Sequence, residues 1–318
     1  MFRFTSVVVG TFAAILSLVG LLAIAAGNAY PSTQISFVGK TDQHDRLIVT
    51  DLERGIEVTL LEGRRINAHV WSADGSQLAV MMIHDGRRGL HLLDVVSGDL
   101  QLLLATSRGD YVRWSDDGWQ VSFLENPYWR RVDLRTDAEV TFRTSLDENR
   151  MRSPDKAWTA SIATNPDTST TDIVIAPTGT RDFYRLTYHA DAADALPRWS
   201  PDGNLLAFQR RQRDSAELSA WYVVPVSDFI QVAESNTMPI VPTPLMLTPS
   251  IPANSMQISL MPDSPWSTDS TQFLFTLTDT NAVNQPITHV YVVNADGTGL
   301  RQITHNPDRA DTYPVWRP

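Results

Sequence analysis

The chain has 318 residues, no cysteine, and a formal net charge of −10 from 26 basic and 36 acidic side chains. That balance argues against a nucleic-acid partner, which calls for a basic face. The lack of cysteine excludes a disulfide framework, a thiolate zinc site and a lipidated N-terminal Cys.

Met1-Phe2-Arg3 is a short basic start, and Val7 to Ala26 is a nearly unbroken apolar run. The run is longer than an ordinary signal core and about the length of a membrane-spanning helix. Gly27-Asn28-Ala29 offers small residues at a cleavage position. Residues 1–29 therefore read as a signal peptide or a signal anchor, with residues 7–26 as the membrane tether in the second case. Either way the remainder, 30–318, lies outside the cytoplasmic membrane, periplasmic or secreted.

From Ile35 onward the pattern is all extended. Ile35-Ser36-Phe37-Val38, Arg46 to Thr50 and Ile56 to Leu60 are candidate strands. Then a unit recurs: Trp71-Ser72-Ala73-Asp74-Gly75 runs into Leu78-Ala79-Val80. Trp114-Ser115-Asp116-Asp117-Gly118 runs into Val121-Ser122-Phe123. Trp199-Ser200-Pro201-Asp202-Gly203 runs into Leu206-Ala207-Phe208, and Trp266-Ser267-Thr268-Asp269-Ser270 into Phe273-Leu274-Phe275. A degraded copy, Arg152-Ser153-Pro154-Asp155-Lys156, precedes Thr159-Ala160-Ser161. Asp-Gly after Ser or Pro is turn chemistry, so each copy predicts a hairpin with one buried side. Two further strands and a second turn follow in each unit, which is the content of a propeller blade. Triplets start at Ile35, Leu78, Val121, Thr159, Leu206 and Phe273. The first four steps match the roughly 40–50-residue propeller period.

The last step is longer, because a Pro-rich insertion at 229–262 interrupts blade five. Leu245-Met246-Leu247-Thr248 is the candidate for its missing outer strand, and the rest reads as a loop. The ends are complementary. Ile35-Ser36-Phe37 lacks a Trp hairpin before it, and Tyr313-Pro314-Val315-Trp316 lacks a triplet after it. The expectation is an all-β, six-bladed β-propeller with four-stranded blades and circular closure by the C-terminal strand.

Trp199-Ser200-Pro201-Asp202-Gly203 with Leu206-Ala207-Phe208, and Tyr291 to Gly299 followed by Arg301-Gln302-Ile303-Thr304, resemble the TolB-type WD40-like propeller repeat. The resemblance spans residues near 33 to 318. The TolB family carries an N-terminal α/β domain ahead of its propeller, for which this chain has no room. The resemblance implies partners such as envelope lipoproteins.

The chain contains no G-x-S-x-G, P-loop, H-E-x-x-H or EF-hand pattern. Its seven histidines show no metal-ligand spacing, and no metal or cofactor is expected. Asp51, Asp94 and Asp133 recur at one blade position. They suit strand-ending Asx turns better than a ring of metal ligands. The loops Thr187 to Asp194 and Thr304 to Asp311 stand at equal distance from Trp199 and Trp316. His189, Asp194, His305 and Asp311 are the candidate ligand-binding residues, on a polar rim at a channel mouth. The competing reading is turn chemistry required by the repeat itself. The function expected is an extracytoplasmic, non-enzymatic binding or scaffold propeller for a protein or envelope component. The alternatives are a carbohydrate-active propeller lyase or hydrolase with axial His and carboxylate groups, and a membrane-anchored sensor.

Overall fold

A computed structural model describes residues 33–143, 152–180, 182–213, 218–235, 239–249, 251–252, 256–257, 265–280 and 286–318. The expected export segment, and part of the insertion, lie outside the described residues. No helix among those described is long and apolar enough to cross a membrane.

The chain divides into two compact units, one ending at Phe142 and taking in Val315–Pro318, the other Arg143–Pro314. In the first unit the strands are β1 (Gln34–Lys40), β2 (Asp45–Asp51), β3 (Ile56–Trp71), β4 (Gln77–His84), β5 (Arg87–Asp94) and β6 (Leu100–Ala105). They are followed by β7 (Asp110–Trp114), β8 (Gln120–Glu125), β9 (Tyr128–Asp133) and β10 (Glu139–Phe142). Neighbours pair antiparallel in chain order within two separate sheets, β1 to β6 in one and β7 to β10 in the other. The 16-residue β3 serves two partners: Ile56 to Gly63 pair with β2, and Arg64 to Trp71 with β4.

The second unit contains β11 (Trp158–Thr164), β12 (Thr171–Pro177), β13 (Tyr184–Arg185), β14 (Ala192–Trp199), β15 (Leu205–Gln212) and β16 (Leu218–Pro225). Helix α1 (Ser227–Glu234) follows, then the two-residue strands β17 (Leu245–Met246), β18 (Ile251–Pro252) and β19 (Met256–Gln257). β20 (Gln272–Thr280), β21 (Pro286–Asn294), β22 (Arg301–Gln302) and β23 (Ala310–Trp316) complete it. β23, which ends in the residues that join the first unit, pairs with β1. Arg317 continues that edge: its main-chain N–H reaches Gln34 O at 2.9 Å, and its guanidinium reaches Gln34 Oε1 at 2.7 Å and Gly75 O at 2.8 Å.

The repeated turn is one hydrogen-bond circuit built five times. Ser72, Ser115, Ser153, Ser200 and Ser267 each donate Oγ–H to the Asp two residues on. That Asp accepts the main-chain N–H two residues further, and the Ser Oγ accepts the N–H of Gln77, Gln120, Trp158, Leu205 or Gln272. The position after the Asp is left-handed, with φ of +65°, +71° and +74° at Gly75, Gly118 and Gly203. Lys156 and Ser270 hold the same conformation without being glycine, at φ +63° and +62°.

Each hairpin predicts one buried side, but in the copies at 78–80 and 206–208 both sides are buried, whereas β11 still alternates, with Ile162 exposed. Leu78, Ala79, Val80, Leu206, Ala207 and Phe208 have no exposed surface. The reason is visible in the second unit. Leu206 and Phe208 join a cluster with Trp158, Ile173 and Ile175, while Ala207 between them joins Trp221, Trp266, Phe273 and Phe275. The β14–β17 sheet therefore packs on two neighbours at once, and a strand covered on both faces reads as an unbroken apolar run. Indole N–H groups tie successive repeats: Trp114 Nε1 donates to Val70 O and Trp266 Nε1 to Arg198 O, both at 3.2 Å.

The insertion differs from a plain loop at its start. Val226 leads into α1, whose Phe229 and Ala233 enter the cluster around Trp158 and Trp199. Two buried side chains four residues apart on one helix face outweigh the following prolines, none of which falls inside α1. Leu245 and Met246 do supply an outer strand, pairing with Val223 and Tyr222.

Candidate functional site

Both candidate loops begin with the same anchor. Thr187 Oγ1 accepts Ile173 N–H at 2.9 Å, and Thr304 Oγ1 accepts Val290 N–H at 3.0 Å. Next comes a tight turn. In one loop His189 Nδ1 accepts Asp191 N–H at 3.2 Å; in the other Asn306 Oδ1 accepts Asp308 N–H at 2.9 Å. A His ring and an Asn amide thus fill one structural role. The bond requires an unprotonated Nδ1 on His189. Each loop then enters a first strand whose residue three before the Trp is left-handed, Leu196 at φ +55° and Tyr313 at φ +54°.

Asp194 and Asp311 are wholly buried. Asp194 is directly across from Arg210 in the β14–β15 register and takes it bidentate, at 2.7 and 2.8 Å. The Arg210 guanidinium also lies 4.9 Å from the Tyr222 ring centroid and 5.4 Å from that of Phe208. Asp311 takes Arg309 from its own edge of the loop, at 2.6 and 3.3 Å. A buried carboxylate needs such a partner, because the cost of desolvating the charge is otherwise uncompensated. The two acids brace the loops from behind. The surface is left to Tyr188, 58% exposed, to the half-buried His189 and to the exposed His305.

Sequence reasoning missed three of the neighbouring groups. Asp172, buried on β12, pairs with Arg185 of β13. Burial pushes its carboxyl above the usual range, against the pull of Arg185. His289 stands at the matching place on β21, one residue before the Thr-anchored Val290. Burial lowers its pKa; the charges of Asp311 and Asp279 oppose that, and His305 and Arg309 add to it. The signal that could have located Asp172 and His289 is the Leu-Thr and Ile-Thr step at Leu186-Thr187 and Ile303-Thr304. That step fixes which third-strand residue faces the loop.

The acids Asp51, Asp94 and Asp133 form Asx turns, each Oδ1 accepting main-chain N–H groups at 2.8–3.0 Å. Among the described residues no group of three His, Asp or Glu side chains could hold a metal ion. His69 is structural. Its Nε2 lies 2.9 Å from Ser36 Oγ, which accepts Trp71 Nε1–H, and burial pushes its pKa down to about 3.

No protein-family model matches the chain, and no curated protein matches it in sequence. Solved structures do match. TolB from Acinetobacter baumannii is 18% identical over 96% of this chain and 71% of its own, with a TM-score of 0.61. The AtxE2 isopeptidase, an S527A variant with Astexin3-dC4 bound, is 12% identical over 88% of this chain and 51% of its own, with a TM-score of 0.54. A putative TolB from Agrobacterium tumefaciens is 14% identical over 90% of this chain and 99% of its own, with a TM-score of 0.47. The chain has a TolB-like propeller fold.

Proposed function

We propose that the protein is an extracytoplasmic, non-enzymatic binding propeller that takes a protein or envelope component on its Trp-preceding loops. Its six four-stranded blades are closed by the C-terminal strand. The β23–β1 pairing supports that closure. The observation that carries the function is the brace. Two loops with identical anchors spend their acids on buried arginines and hold Tyr188, His189 and His305 at the surface. Rigid loops with an aromatic at the tip suit recognition, where preorganisation and aromatic anchors supply affinity. The apolar run at residues 7–26 directs the propeller out of the cytoplasm, as a cleaved signal or as a tether.

One observation favours a carbohydrate-active enzyme instead: His289, with a lowered pKa, shares its surroundings with Asp311, Asp279 and His305. A photo-crosslinking residue at position 188 or 305, compared with one at Val140, separates the readings. Crosslinks to one envelope component from 188 and 305 but not 140 support binding. No crosslink, together with turnover of acidic oligosaccharides that His289→Ala abolishes, supports the enzyme. Protease access to the propeller in spheroplasts tests the location.

A further inference from the structure

The first unit holds a cavity of about 850 Å³, within the size range of small-molecule sites. The segment joining β1 to β2 and the middle of β3 line it. Lys40, Arg64, Arg65 and Arg88 stand around it with His44, against only Asp42 and Asp45. Asp45 is already engaged, its Oδ2 accepting Ile66 N–H at 2.8 Å. A chain of net charge −10 thus gathers four cations at one cavity.

The backbone departs from the repeat at this place. In three copies the left-handed residue falls three positions before the motif Trp: Tyr111, Leu196 and Tyr313. In β3 it falls six positions before Trp71, at Arg65, with φ +52°. The pairing with β4 slips there, between Arg64 and Ala68. A bulge re-aims side chains, and a bulky left-handed residue persists only where something holds it. Neither the Arg64 nor the Arg65 guanidinium has an ion-pair or hydrogen-bond partner among the described residues. Arg88 donates Nη2 to Gly109 O at 3.3 Å, but its Nε is buried without a partner. Asn67 donates Nδ2 to Gly109 O at 2.9 Å and to Asp110, but its Oδ1 is also buried without a partner. Arg64 and Arg65 are exposed at the cavity, so their guanidinium donors are open to an entering anion.

We infer that this cavity binds a small anionic molecule. Arg64, Arg65 and Arg88 hold its carboxylate or phosphate oxygens. The inference does not rest on the loops at 187–194 and 304–311.

The test is calorimetric titration of the full chain in detergent with pyrophosphate and, separately, with citrate at low ionic strength. Saturable binding is expected for at least one, with Kd below about 1 mM, weakening as salt rises. The tighter of the two tells phosphate from carboxylate. Arg64→Ala and Arg65→Gly should each weaken binding ~10-fold, the scale of one charge-assisted contact. Arg65→Gly should at the same time raise Tm by ~2 °C, since glycine relieves the left-handed backbone. Lost affinity with raised stability is a pairing that a merely structural arginine would not show. Arg211→Ala, a change in the second unit, should bind as the wild type does. Absence of saturable binding with both anions overturns the inference. So does wild-type affinity in Arg64→Ala and Arg65→Gly.

Discussion

Aspartate is used in two opposite ways in this molecule, and the contrast separates local from tertiary stabilisation. In the five hairpin turns the carboxylate sits near solvent and is satisfied within a few residues, by a Ser hydroxyl and main-chain amides. The hydroxyl and amide bonds hold these acids below the usual carboxylate range, as at Asp74. In the braces the carboxylate is out of water and is satisfied by an arginine. At Asp194 that arginine arrives from the next strand; at Asp172 burial wins over the arginine and the pKa rises. Turn acids shape a hairpin wherever it occurs. Asp194 and Asp172 meet their arginines only once neighbouring strands have paired, whereas Asp311 takes Arg309 from two residues away.

Breaking a brace should cost most. Arg210→Met leaves Asp194 charged, buried and alone, and should destabilise by about 3 kcal/mol in urea unfolding. Adding Asp194→Asn should recover most of the loss, because the stranded charge goes with it. A double variant as unstable as the single would mean that ring packing, not charge, is what Arg210 contributes. Breaking a turn should cost less. Asp202→Ala removes the bonds from Ser200 Oγ, Asn204 N–H and Asn204 Nδ2, and about 1–2 kcal/mol is expected.

Sharpening a turn should cost nothing. Lys156→Gly removes left-handed strain in the eroded copy and should stabilise by about 0.5–1 kcal/mol in the same assay. Ser270→Gly should gain less, since Ser270 Oγ accepts Asp202 N–H at 3.1 Å. Equal gains at both positions would show that this bond is idle.

The smallest effect is in pH, with opposite signs for the two classes. Asp74 is depressed when folded, first by Ser72. Its contribution is present above the unfolded carboxyl pKa of about 3.9 and is lost as pH falls through the folded value. The Tm gap between wild type and Asp74→Ala should therefore close in acid, by the equivalent of ~0.5 kcal/mol for so exposed a group. Asp172 is raised when folded, first by burial. Its ionisation opposes folding as pH rises from the unfolded value through the folded one. Asp172→Asn should gain on wild type over that rise. Tm series from pH 3 to 7 for both variants show whether the slopes differ in sign.

The strands, their turns and their antiparallel order could be read in advance, because each turn circuit closes inside a short stretch of chain. Ser72 finds Asp74 and Gln77, and Ser200 finds Asp202 and Leu205, at fixed offsets. Asp194 and Asp311 could be singled out by their distance from Trp199 and Trp316, but not their burial. The partner of Asp194 is sixteen positions away and is set by strand register. Helix α1 was hidden because its helical face carries only Phe229 and Ala233 as buried positions, in a stretch whose prolines suggest a loop. The misplaced bulge at Arg65 left no mark in composition, since any residue type can precede it.

Taken alone, the amino-acid order determined the hairpin unit, its repetition and the complementary ends, because hydrogen bonds between near neighbours need no tertiary scaffold to select them. Tertiary structure decided the rest. It buried both faces of β4 and β15, matched Asp194 to Arg210 and Asp172 to Arg185, and drew Arg64, Arg65 and Arg88 around one cavity. Those outcomes depend on which strands pair and in what register, and pairing is fixed by the packing of whole sheets.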